Sequence, residues 1–167
     1  MKSVYLSLGS NRGDRQANIE RAIDELGFRS VAVRRVSSYY KTQPVDFLPQ
    51  AWFLNCAAEA ATDLMPMRLL SVCKAVERAV GRRPGVLKGP RTIDIDILFY
   101  ENAIIDSSEL AVPHPAMALR RFVLVPLAEI APEARHPMTQ RTVLEMLHET
   151  PDMSQVSRFN KAVMSDK

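Results

Sequence analysis

Cysteine is scarce in this sequence, and so are long apolar runs and charge of a single sign; each shortage excludes a class of protein. The two cysteines, Cys56 and Cys73, sit in segments patterned as buried structure, and their spacing fits no zinc or redox motif. They are expected to be reduced core thiols, which excludes a disulfide framework. No apolar run approaches the roughly 18 residues of a membrane span, so no membrane partner is expected. Lys and Arg number 22 against 19 Asp and Glu, with no tail of one sign. The opening MKSVYLSLGSN alternates like a strand and lacks the apolar stretch of a signal peptide, so a cytoplasmic location is expected. Neither GxGxxG nor the Walker A pattern occurs.

What is present fits one domain over residues 1–167, with about the last ten residues expected to form a tail. Ser3 to Leu8 alternates as a strand, and Gly9-Ser10-Asn11 reads as a turn. Asp14 is suited to cap a helix carrying Ile19, Ala22, Ile23 and Leu26 at helical spacing, with Gly27 at its C-terminal end. Val31 to Tyr40 and Phe53 to Ala61 read as strands, separated by the loop KTQPVDFLPQA. Pro66 opens a second helix with the apolar stripe Leu69, Cys73, Val76 and Val80, closed by Gly81. IDIDILFY, Ile93 to Tyr100, is an alternating strand. A short strand and helices around Phe122 to Ile130 and Thr142 to Glu149 complete the chain. The order β-α-β-β-α-β predicts an α+β fold of the split βαβ type, both helices on one face of an antiparallel sheet and the other face free for a site.

Chemistry is concentrated in residues 81–100. Side chains alternate along a strand, so Asp94 and Asp96 share one surface while Ile93, Ile95 and Ile97 take the other. The doublet also suits the solvated side of an amphipathic strand. Asp is depleted in strands, however, and two like charges on one face need a compensating cation. The segment GRRPGVLKGPR supplies four, Arg82, Arg83, Lys88 and Arg91, just upstream. Together these favour a magnesium and phosphate site, since that ion takes one or two carboxylates plus phosphate oxygens. The basic loop suits a lid, and it equally suits a surface loop kept soluble by charge. His114, between two prolines in VPHP, is by default a loop histidine; Phe53 and Phe122 are by default core aromatics; and Asn55 needs hydrogen bonds if buried.

Six segments in this order resemble the 6-hydroxymethyl-7,8-dihydropterin pyrophosphokinase family: LGSN at 8–11, SSYYKTQP at 37–44, FLNCA at 53–57, GPRTIDIDILFY at 89–100, VPHP at 112–115 and RFVLVPLAEIAP at 121–132. The resemblance implies a ferredoxin-like α+β fold and transfer of the β,γ-diphosphate of ATP to the pterin alcohol, leaving AMP, in folate biosynthesis. It implies that Asp94 and Asp96 hold a pair of magnesium ions and that Arg82 and Arg91 act on the ATP phosphates. Glu77, Ile97, His114 and Arg120 would help to bind the nucleotide. Thr42, Pro44, Val45, Phe53, Asn55 and Phe122 would line the pterin pocket. The implied partners are these small molecules alone, with no nucleic acid, and a monomer is expected. Lys88 stands where many relatives have tryptophan, Arg83-Pro84 alters the spacing of the lid cations, and Phe53 replaces a frequent tyrosine while keeping an aromatic face.

Overall fold

A computed structural model describes residues 1–44, 51–81 and 92–159. The elements are β1 (Lys2–Ser10), α1 (Arg15–Phe28), β2 (Val31–Val36), β3 (Tyr40–Thr42), β4 (Phe53–Thr62), α2 (Pro66–Val80) and β5 (Asp94–Tyr100). After them come the short strands β6 (Ile105–Asp106) and β7 (Ala111–Val112), a single 3-10 turn (Met117–Leu119), α3 (Arg121–Ile130), α4 (Val143–Glu149) and β8 (Val156–Arg158).

The main sheet is antiparallel throughout, in the order β5-β1-β4-β3-β8, with β2 also pairing along β4. One edge of β4 is therefore shared: β3 takes Phe53 to Asn55 and β2 takes Ala58 to Thr62. The expected single strand from Val31 to Tyr40 divides there because serines replace the ladder. Ser37 donates its amide to the Ala57 carbonyl at 2.9 Å, and its hydroxyl accepts the Ala57 amide at 2.9 Å.

Two other expectations are corrected at turns. β1 does not end at Leu8 but continues through Gly9 to Ser10, since Gly9 pairs with Asn55 on one side and Asp94 on the other. The chain turns later, at Gly13, whose φ of 71° an ordinary side chain would resist. Gly27 lies inside α1 rather than beyond it; the helix closes at Arg29, whose amide donates to the Leu26 carbonyl at 3.0 Å. The Asp14 cap is as expected, accepting the Ala17 amide at 3.1 Å. Pro66 at the start of α2 and left-handed Gly81 (φ 115°) at its end are also as expected.

Val4, Leu6, Leu8, Leu54, Cys56, Ala58, Ile95 and Ile97 point to one side and form a core with α1 and α2. The opposite side is only partly free, which corrects the expectation of an open second face. There α3 and α4 pack Val123, Leu124, Leu127, Val143 and Met146 against Ala57, Leu98, Phe99 and Tyr5. A bulge assists: the register passes from Tyr5 opposite Phe99 to Leu6 opposite Ile97, so Leu98 is the extra residue. Leu98 and Phe99 both serve the second core as a result. The end of this face that carries Gly9, Asn55, Asp94 and Asp96 lies outside that second cluster.

Candidate active site

Register brings the site together from strands distant in sequence. Opposed residues in an antiparallel ladder point to the same face. One row across the sheet therefore reads Asp94, Gly9, Asn55, Tyr40, and the next Asp96, Ser7, Ala57; Thr42 and Phe53 pair beside them. The two aspartates are half-buried and separated by Ile95, which turns into the other core. Along a strand that places them roughly 6.5–7 Å apart.

Asn55 and Thr42 are buried, at 3% and 1% exposure, and the Asn55 amide donates from Nδ2 to Thr42 Oγ1 at 2.5 Å. Pro44 is buried beside them, and Phe53 is half-buried at the edge of β4. Phe122 stands in the first turn of α3, half-buried, with the Arg120 guanidinium 5.6 Å from its ring centre. That cation–π contact fixes the cation against the aromatic face.

His114 follows the cis Val112–Pro113 bond. Its amide donates to the carbonyl of the bulged Leu98 at 2.9 Å, and its Nδ1 accepts the Ala116 amide at 3.1 Å. An imidazole that accepts at Nδ1 carries its proton on Nε2, and Nε2 lies 4.0 Å from Asp96 Oδ1. Burial pushes the His114 pKa below its ordinary value; the Arg120 charge pushes it the same way, and Asp94 opposes both. The net shift favours the neutral imidazole.

The structure separates two residues from this face. Ile97 is buried in the core under α1 and α2, so only its backbone borders the site. Glu77, on α2 and 5% exposed, accepts the Ile95 amide at 2.8 Å. It thereby grips β5 between the two aspartates from the helix side. Val45, Arg82 and Arg91 lie outside the described residues.

Two contributors escaped the reading of the sequence. Gly9, taken for a turn, is a strand residue on which the Asn55 side chain rests: a methyl group there would overlap Asn55 Oδ1 and lie 3.4 Å from the Phe53 ring. Ser7 lies beside Asp96 on the same face. The alternation of Leu6 and Leu8 already assigned Ser7, inside the expected strand, to the face opposite the core, and continuing that strand past Leu8 sets Gly9 on the same face. Among the described residues no cluster of three or more His, Cys, Asp or Glu side chains forms a metal cage. An ion at Asp94 and Asp96 would therefore complete its shell with water and ligand oxygens, as magnesium does.

The chain is similar to known proteins. The family model described as 7,8-dihydro-6-hydroxymethylpterin-pyrophosphokinase (HPPK) matches residues 5–132. A 2-amino-4-hydroxy-6-hydroxymethyldihydropteridine pyrophosphokinase of Bacillus subtilis is 44% identical over 137 residues, covering 81% of this chain and 82% of that protein. The enzyme of the same name from Aquifex aeolicus is 41% identical over 145 residues, covering 87% and 90%. The "Folic acid synthesis protein fol1" of Schizosaccharomyces pombe is 38% identical over 151 residues, covering 90% of this chain and only 21% of that longer protein. Solved HPPK-DHPS structures share the fold: one, in complex with substrates, superposes with a TM-score of 0.68 at 15% identity over 88% of this chain and 43% of its own. The wild-type Plasmodium falciparum HPPK-DHPS with pteroate gives 0.70 at 16%, over 89% and 42%. By the extent of these matches the chain belongs to the 7,8-dihydro-6-hydroxymethylpterin-pyrophosphokinase family.

Proposed function

We propose that this chain moves the β,γ-diphosphate of ATP to the alcohol of 6-hydroxymethyl-7,8-dihydropterin, with magnesium held by Asp94 and Asp96 and the ring held by Thr42, Pro44, Phe53, Asn55 and Phe122. Family membership makes it a pyrophosphokinase of folate biosynthesis. The assignment of residues to roles is our own reading. One observation carries it: Asp94 and Asn55 lie in one row of one sheet face, joined by Gly9, with Asp96 in the next row on one side and Thr42, the partner of Asn55, in the next on the other. A phosphate-handling region and a slot for a flat polar ring are thus side by side. The split βαβ, ferredoxin-like description belongs to the same reading, supported by the antiparallel order β5-β1-β4-β2 with α1 and α2 packed on one face.

In the reaction the pterin alcohol oxygen forms a bond to the β-phosphorus. The bridge between α- and β-phosphates breaks with its electron pair leaving on AMP, and the alcohol proton is released. Magnesium, when bound, neutralises charge on the phosphates. Asp94 and Asp96 supply hard oxygen ligands on one surface, and Glu77 holds the strand that carries them. His114, neutral with Nε2–H outward, offers a hydrogen-bond donor without adding a charge, while Arg120 adds one against phosphate. Arg82 and Arg91 belong to the same reading through the family resemblance. Polar ring atoms would meet the fixed Asn55 amide, and the ring faces would meet Phe53 and Phe122.

The test is to mix purified protein with ATP, magnesium and the reduced hydroxymethylpterin and identify the nucleotide product. AMP together with the pterin diphosphate is the expected result. Free pyrophosphate would mean attack at the α-phosphorus and a nucleotidyltransferase instead. We take the working enzyme to be a cytoplasmic monomer, which sedimentation and fractionation would check.

A further inference from the structure

We propose that Gly9 is a positioning residue for the pterin site: the side chain it lacks is the space that holds the Asn55 amide in its binding orientation. Glycine in the interior of a central strand weakens it, so its presence needs a cause. Backbone conformation is not that cause. Among the described glycines only Gly13 and Gly81 have left-handed φ, so the Gly9 backbone would accept any residue. Space is the cause. A Cβ at position 9 would overlap Asn55 Oδ1 and sit 3.3 Å from its Cγ, while the strand pairing Gly9 with Asn55 prevents the backbones from separating.

A longer residue at 9 would force the Asn55 side chain to rotate. The amide would then leave Thr42 Oγ1, its 2.5 Å partner, in a place where Asn55 is only 3% exposed. Two constraints therefore fix one amide: the Thr42 hydroxyl at its nitrogen, and the bare β1 backbone at Gly9, which leaves room for its oxygen. With those positions fixed, the donors and acceptors left on the amide keep one direction. A buried amide held this way presents its hydrogen bonds without an ordering cost at binding. Gly9 also pairs with Asp94 on its other side, through backbone that a side chain at 9 does not alter.

This inference rests on the assignment of Asn55 to the pterin, and a double-mutant cycle separates the two. Calorimetry would measure pterin affinity with magnesium and a non-hydrolysable ATP analogue present, for wild type, Gly9→Ala, Asn55→Ala and the double variant, with analogue affinity and melting temperature measured alongside. Gly9→Ala is expected to weaken pterin binding about tenfold or more while changing analogue affinity less than about twofold. Placed in the Asn55→Ala background, where the overlap is gone, it is expected to add less than about a twofold further loss. Wild-type pterin binding by Gly9→Ala overturns the inference, and so do losses that multiply in the double variant or that fall equally on the analogue. Wild-type binding by Asn55→Ala would instead overturn the pterin assignment beneath it. Should Gly9→Ala alone fail to fold, a folded double variant supports the seat for Asn55 and an unfolded one overturns it.

Discussion

At the scale of single residues, Asp94 and Asp96 were legible because alternation in IDIDILFY is strong, and the structure sets both on one face. Charge at that spot has work to do only if phosphates and a cation arrive there. Asp94→Asn and Asp96→Asn keep the size and polarity of the side chains, so each is expected to retain the wild-type melting temperature and to lose turnover by several orders of magnitude. Steady-state kinetics with either variant near wild-type activity would remove the metal assignment. The ring slot makes a graded expectation. Losing one aromatic face in Phe53→Ala or Phe122→Ala is expected to weaken pterin binding by about 1–1.5 kcal/mol. Asn55→Ala leaves ligand polar atoms buried without partners, for about 1–3 kcal/mol, and calorimetry of the three variants ranks them. Glu77 and Ile97 were harder to read. Periodicity puts both on the core side, yet Glu77 turned out to use that position to hold a strand amide, a contact that needs the packing of α2 beside β5.

Elements were read well where local signals govern them and less well where a distant partner decides. Asp14, Pro66 and Gly81 act within one turn of their own helices, so the sequence suffices for them. The division between β2 and β3 depends on Ser37 bonding Ala57 and Ser38 meeting Glu129 of α3, partners 20 and 91 residues away. Burial raises the Glu129 pKa, but hydrogen bonds from Tyr40 and Ser38, with Arg158 nearby, outweigh it and leave the carboxyl below its ordinary range. Tyr40 Oη donates at 2.6 Å, and the Ser38 amide and hydroxyl each donate at 3.0 Å. This one carboxylate joins α3 to the kink between β2 and β3, and β3 carries Thr42. A pKa lowered by folding means stability that is present above the usual Glu range and is lost as pH falls through the folded value. Glu129→Gln is therefore expected to be less stable than wild type at pH 7, with the difference shrinking as the pH falls below about 4. Urea melts at several pH values would show it, and a gap that stays constant down to pH 3 would contradict it.

For the whole molecule, the decisive arrangement is one sheet between two cores, with the site at the end of the second face that lies outside the second core. Both cysteines belong to the first core, on the far side of the sheet from the site: Cys56 on β4 and Cys73 on α2, each 1% exposed. Burial pushes both thiols up to about 12, with Glu77 and Asp96 adding to the effect at Cys73. At pH 8 they are protonated and out of reach, so an aromatic disulfide reagent can meet them only when that core opens. The sheet links the two cores, so opening on that scale amounts to unfolding of the domain, and the labelling rate should follow global stability. Ligands that bind only the folded state must then slow labelling, although they never touch either cysteine. We expect native protein at pH 8 to label slowly, with both thiols reacting together and quickly in denaturant. Adding the magnesium-bound ATP analogue and the pterin at about 100 times their dissociation constants should slow native labelling by about a hundredfold for each ligand that binds independently. Cys73→Ser distinguishes the paths: if Cys56 alone then labels at a rate indifferent to both ligands, the core opens locally and the two faces of the sheet are not a single cooperative unit.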